Sequence, residues 1–427
     1  MRRHWAAPGL TSGLLLGLLA TACVPTTARP PSTQSTNDLV LVETGDGLAA
    51  LDWAAGRLRY TAPHALAAPD GTRLVAPAHA VAAHSLDVLD AQTGTIQTAV
   101  TAPATLTPSV ISTDGRRVAL APLRTDTDTD TWQPAGRERT QLAIVALEGT
   151  TAPRVFDLAG NYEPDAFSAD DRHLFVLEYQ PPAAPDRYRV RQLDLATGTV
   201  SGVGSRTKVA VPEEEMRGTR RMHVLSPDRT TLYTLYTHQP DHLHARDLAV
   251  GLTVSPGNVD AFVHVLNLSQ GWAYCLDLPQ PFGVGPAAAH ALAISPDGRW
   301  LYVADRSSGM LAVADTDALV LRTTRNVGAD PRAEAGPTAA QVGPDGTLYV
   351  AGASAVLALD PRTLEVVRHL PVPAVPHGLG ISADGRHLYL SLSDRVAALD
   401  AATGAELSSV ALPGAAGIAH VATAGPR

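Results

Sequence analysis

The stretch SPDGRWLYVAD, residues 295–305, sets Ser, Pro, Asp and Gly ahead of a short apolar run. Asp can bond the nearby backbone and Gly tolerates positive φ, so PDG reads as a tight turn and WLYVAD as the strand that leaves it. Near copies stand at APDGTRLVAPA (from 68), STDGRRVALAP (112), SADDRHLFVLE (168), SPDRTTLYTLY (226), GPDGTLYVAG (343) and SADGRHLYLSL (382). One turn in so many copies means that a single supersecondary unit repeats along the chain.

A second landmark alternates with the first: LDWAAG (51), LDAQTG (89), LDLATG (193), LNLSQG (266), ADTDAL (314), LDPRTL (359), LDAATG (399) and a degenerate VALEGT (145). Between landmarks lie short runs of Val, Leu, Tyr and Ala, which suit strands rather than helices. Each unit is therefore four short antiparallel strands. Such units at intervals of ~40–50 residues predict an all-β fold, a single β-propeller in which each sheet is a blade packed between neighbours. Burial on two faces also explains strands that are apolar throughout. Aromatic residues make up only 5% of the chain, so Ala, Val and Leu must fill the core.

In residues 295–327, SPDGRWLYVADRSSGMLAVADTDALVLRTTRNV, the chain resembles the YVTN-type propeller repeats of bacterial cell-envelope proteins. The match is good over the last three repeats and weaker over the earlier ones. The first unit, from DLVLVE (38) to RLRYTA (57), lacks a first strand, while GIAHVAT (417) is a strand without a unit. Joined, they make one more blade and remove two exposed sheet edges. The count is then eight, with seven, the usual number for YVTN-like propellers, as the alternative.

The N-terminus, MRRHWAAPGLTSGLLLGLLATAC, has a basic start, an apolar stretch and small residues, as a secretory signal does over 1–22. LLATAC resembles a bacterial lipobox with Cys23 as the lipidated residue. Ala20 stands where that motif prefers Leu, and ATA also suits an ordinary signal peptidase. The other cysteine is Cys275, so a Cys23–Cys275 disulfide is the competing assignment. Residues 23–37, rich in Pro, Thr and Ser, read as a flexible tether, and 38–427 as the propeller. The location expected is outside the cytoplasmic membrane, with membrane contact only through the lipid. A net charge of −9 and a pI near 5.9 argue against nucleic acid as partner.

Both landmarks turn on one face of a propeller, and tight turns predict a plain face there. Length accumulates opposite: the landmarks lie 15 residues apart from Asp345 to Asp360 but 39 apart from Asp228 to Asn267. The surplus falls in residues 124–140, 179–189 and 237–260, with a further insertion at 206–221. Loops on a rigid scaffold are where binding usually resides. Aligned first-strand starts place His64, Thr107, Glu163, Arg221, His290, Thr338 and His377 around the channel mouth on that face. Of these, His64, Glu163, Arg221, His290 and His377 are the ligand-binding candidates, with a purely structural ring as the alternative. His238, His242 and His244 have spacings a metal site can use, but such clusters in polar loops are more often solvated, and no metal is assigned. Asp126, Asp128 and Asp130 open like a calcium loop, yet Thr131 and Arg137 stand where its glycine and bidentate acid belong.

No nucleophile elbow, phosphate loop or dinucleotide fingerprint stands in a supporting context. The main expectation is a monomeric, non-enzymatic scaffold that binds a small molecule or an envelope protein or peptide and needs no cofactor. The alternative is an enzyme, lactonase- or dehydrogenase-like and possibly metal-dependent, with Glu163, His290 and His377 as acid and base at the channel mouth.

Overall fold

The computed structural model describes residues 37–78, 85–123, 134–206, 215–239 and 259–423. Eight antiparallel sheets form the blades of one ring. Blade 1 runs outward from Ala415–Thr423 through Asp38–Thr44 and Gly47–Asp52 to Arg57–Pro63, so the last strand of the chain closes the ring against the first. Blades 2 to 8 follow in chain order over residues 66–101, 107–159, 161–202, 219–278, 290–326, 339–371 and 378–411. In each, the first strand is innermost. The count of eight and the closure agree with the sequence expectation. Blade 5 departs from four strands, because Gly204–Ser205 pairs in parallel with its outer strand Trp272–Leu278.

The repeated turns share one wiring. In blade 6 the Ser295 Oγ accepts the Trp300 amide at 2.9 Å and donates to Asp297, whose Oδ1 accepts the Arg299 amide at 3.1 Å. The same bonds recur at Ser112–Asp114, Ser168–Asp170, Ser226–Asp228 and Ser382–Asp384. In the outer turns the Asp Oδ1 accepts amides two and three residues ahead, as at Asp194, Asp315 and Asp360. Those amides hold the three carboxyls below the ordinary carboxylate range. The polar letters of both landmarks are thus hairpin chemistry.

Each pair of neighbouring blades encloses its own apolar cluster. Leu174, Phe175, Val176 and Leu177 are consecutive and all at most 1% exposed, which only a strand packed on both faces allows. The interface between blades 4 and 5 is divided between two clusters, one of them built on Tyr179, Tyr188, Tyr236 and Phe262. At the closure, Tyr389 donates to Asp38 Oδ2 at 2.6 Å and meets Trp53 edge-on at 4.8 Å. Burying side chains of this size contributes ~1.5–3 kcal/mol each, so the interfaces rather than the separate blades carry the stability.

Candidate functional site

Seven aligned positions lie close to the starts of their innermost strands, on the long-loop side. His64 is exposed in the crossover to blade 2, at a left-handed φ of 53°, and its amide donates to the Asp46 carbonyl at 2.7 Å. Thr107 donates from Oγ1 to the Ala121 carbonyl at 3.3 Å. Glu163 is half-buried and accepts the Tyr179 hydroxyl on Oε2 at 2.7 Å. Thr338 is buried, and its amide donates to the Ala288 carbonyl at 2.7 Å. His377 is half-buried, with its amide on the Ser391 carbonyl at 2.8 Å. Arg221 lies in the innermost strand of blade 5, Thr219–Leu225.

His290 differs from the rest because it is withdrawn into the wall and fully buried. Its Nε2 accepts the Gly283 amide at 2.9 Å, and Nδ1 lies 3.0 Å from the Pro286 carbonyl, which can only accept. These bonds put a proton on Nδ1, and Nε2 also lies 3.6 Å from Asp305 Oδ2, so the ring is a structural tie in its present place. Asp305 beside it accepts from the amide and hydroxyl of Ser307 and from the hydroxyl of Ser308. Next to it Arg306 donates to the Gly328 carbonyl, and Asp330 accepts from the amide and hydroxyl of Ser354. Gly352 makes this approach possible, since a Cβ there would lie 2.5 Å from Asp330 Oδ2. Blades 6 and 7 thus form a tightly buttressed half of the mouth.

Blades 3 to 5 are built otherwise. Their innermost strands each break register once, leaving Ser109, Asp165 and Arg221 without a ladder partner. The corresponding strands of blades 6, 7 and 8 run unbroken, while the closing strand of blade 1 shifts twice. The outer strands show the reverse: those of blades 1, 2, 6, 7 and 8 carry a shift, and those of blades 3, 4 and 5 do not. A bulge re-aims a side chain and is common beside functional sites. Asp165 is a buried carboxylate at 7% exposure. Above this sector, the side-chain amide of Asn161 donates to the carbonyls of Ala135 at 3.0 Å and Pro182 at 3.3 Å, pinning the ends of two long loops together.

The other end of the channel is crossed by side chains. Asp171 and Arg229 replace the turn glycine in blades 4 and 5, and Arg229 reaches the Thr113 carbonyl of blade 3 at 3.2 Å. The tight-turn face is not plain, however: a cavity of about 420 Å3 opens there between blades 5 and 6. Arg206, expected on the opposite face, lines it.

Sequence reasoning missed Tyr179, Asn161 and Glu43. The Glu43 carboxylate reaches solvent but lies against the closing strand at Gly417, where a Cβ would overlap it, and desolvation there pushes its pKa up. Only the ladder between the two ends of the chain brings Glu43 to this rim, where it pairs with Gly417. Tyr179 was legible in type, as a polar-tipped aromatic beside a long loop. Cys23, His242, His244 and the aspartates 126, 128 and 130 lie outside the described residues, whereas His238 is exposed with Nδ1 3.1 Å from Thr237 Oγ1. Among the described residues no three His, Cys, Asp or Glu side chains are placed to hold a metal ion, and no helix is long and apolar enough to cross a membrane.

No family model and no curated protein matches the chain. Among solved structures it is similar to the dihydro-heme d1 dehydrogenase NirN in complex with DHE, at 16% identity and a TM-score of 0.53, over 91% of this chain and 75% of that one. It is similar also to apo AztD from Citrobacter koseri, at 12% identity and a TM-score of 0.52, over 89% and 96% of the two chains. The periplasmic gluconolactonase PpgL of Pseudomonas aeruginosa aligns at 18% identity over 90% and 98%, but its TM-score of 0.44 is too low to argue from. At such identities the likeness is one of architecture, and the chain is an eight-bladed β-propeller.

Proposed function

We propose that the long-loop mouth, over blades 3 to 5, binds a small polar molecule and turns it over by acid–base chemistry at Glu163. The observation that carries this reading is the broken register of three neighbouring innermost strands beneath the longest loops. Within that sector Glu163 has one oxygen committed to the Tyr179 hydroxyl, which orients the carboxylate. A carboxylate held in this way can activate a water, and opening of a lactone is the simplest reaction it would promote. The likeness to a dehydrogenase of the same architecture supports an enzyme over a protein scaffold.

A pH-stat assay with glucono-δ-lactone tests this. Saturable ring opening above the spontaneous rate is expected, reduced about 100-fold in Glu163→Gln, the lower range for a lost general base, and less in Tyr179→Phe. No turnover of any aldonolactone, together with small molecules recovered from the native protein by mass spectrometry, would establish the second reading, a binding propeller. Elemental analysis of the same preparation tests for a metal. Lipidation at Cys23 and a location outside the cytoplasmic membrane belong to the same proposal. They are supported by the burial of Cys275, at 1% exposure in the core between blades 4 and 5.

A further inference from the structure

On the tight-turn face the turns of blades 5 and 6 touch where Gly298, at a φ of 75°, lies against Pro227; a Cβ there would come within 3.2 Å of the proline ring. Outside this contact the blades diverge around the cavity of about 420 Å3. Tyr233, Thr231 and Thr316 are among the residues that line it. The Tyr233 body is buried, and its pKa is pushed up to about 12 by that burial, with Asp228 and Asp317 adding to it. One wall is the Trp272 indole, with the Arg206 guanidinium 5.7 Å from its ring, and Arg299 lines the other side.

This gap differs from its counterparts because the added strand Gly204–Ser205 lies on the edge of blade 5. The strand carries Arg206 over the opening, where its Nη2 donates to the Asp317 carbonyl of blade 6 at 3.2 Å. Of the carboxylates in the lining, Asp228 is occupied on both oxygens by Ser226 and Thr230. Asp297 accepts Ser295 and the Arg299 amide on Oδ1, leaving Oδ2 turned to other partners, and the Asp317 side chain is exposed at the rim.

We infer that this cavity binds a neutral polyhydroxylated ring, a hexose unit of an oligosaccharide, independently of the channel mouth. Guanidinium groups only donate and carboxylates only accept, whereas a sugar hydroxyl does both. Donors at Arg206 and Arg299 alternating with acceptors at Asp297 and Asp317 can therefore engage a run of hydroxyls in both senses. The part of the Trp272 side chain that lines the cavity beside Arg206 offers apolar surface to the C–H groups of such a ring. A free anion would meet three carboxylates, Asp228, Asp297 and Asp317, and a free cation the two guanidinium groups, so either charge is disfavoured, the anion more. The volume lies near the lower end for small-molecule pockets and suits a short sugar segment rather than a polymer surface.

The test is calorimetric titration of the full chain with maltotriose, cellotriose and chitotriose, alongside trigalacturonate as anion and triglucosamine as cation. Saturable binding of at least one neutral trisaccharide is expected, weakened about tenfold or more in Asp317→Asn. The same loss is expected in Trp272→Ala, with partial recovery in Trp272→Phe, while Glu163→Gln leaves it unchanged. Because Trp272 also packs on the edge of blade 5, the exposed Asp317 is the deciding position. The inference is overturned if none of the neutral sugars binds, if a charged one binds more tightly, or if Asp317→Asn leaves the affinity unaltered.

Discussion

Asp171 stands at the turn position that glycine occupies at 71, 115, 298, 346 and 385, and it keeps the left-handed backbone, with a φ of 56°. Its carboxyl is pushed up to about 6, first by burial and then by Asp114, with Asp170 adding and Arg117 and Arg116 opposing. A folded-state pKa above the unfolded value of 3.8 means that the protonated form suits the fold. Stability from this group is full below that value and is lost as pH rises through about 6. At neutral pH the charge thus costs ~1–2 kcal/mol after allowance for screening. Asp171→Gly keeps the backbone and removes the charge, so it should raise the melting temperature by roughly 2 °C or more at pH 7.5. The gain should shrink at pH 5, and equal gains at the two pH values would refute the assignment. Such exceptions also explain why some landmarks were hard to read. Leu319 and Leu364 hold positive φ where other outer turns have glycine, because each buries its side chain beneath the turn. Turn chemistry is local and was therefore visible in the letters, while the reason for an odd letter lies in the blade beside it.

Strands obey the same division. Their number, their order and the gap in the first unit followed from the two landmarks, since hairpin turns and apolar runs are written contiguously. The broken registers at Ser109, Asp165 and Arg221 were not legible, because register is a relation between two strands and composition on either side looks ordinary. For the same reason Glu163 could be aligned as a channel position, but not its bond to Tyr179 on the next strand. His290 shows the converse error of alignment. It occupies the aligned position, yet Gly283 and Pro286 from the preceding crossover take both ring nitrogens. The closing strand offers the sharpest test at this scale. Ala415–Thr423 pairs with Asp38–Thr44 from end to end with two breaks of register, and Ile418 packs against Gly378 and Gly380 of blade 8. Deleting residues 414–427 leaves blade 1 with an open edge and strips the channel side of blade 8. Loss of the cooperative melting transition or aggregation on refolding is expected, and an unchanged calorimetric profile would be incompatible with the closure.

At the scale of the whole ring the two proposed sites open on opposite faces, and the point where the chain enters the ring distinguishes them. Asp38 pairs with Thr423, and its carbonyl accepts the Trp53 amide, so the first blade strand starts on the tight-turn face, beside the outer turns. A lipid on Cys23, followed by residues 24–37, would hold that face within at most about 50 Å of a membrane, the limit for an extended tether of that length. Among the described residues the exposed large apolar side chains are Leu58, Ile96, Val155, Val367 and Leu407 on the outer strands of five blades, with Leu123 and Val284 outside the strands. Stable attachment takes more than one acyl chain, and without lipid at Cys23 the propeller has none. Cys23→Ala should therefore move the protein from washed membranes to the soluble fraction with its melting profile intact. Retention of the variant in carbonate-washed membranes would show that something other than this cysteine holds the propeller there.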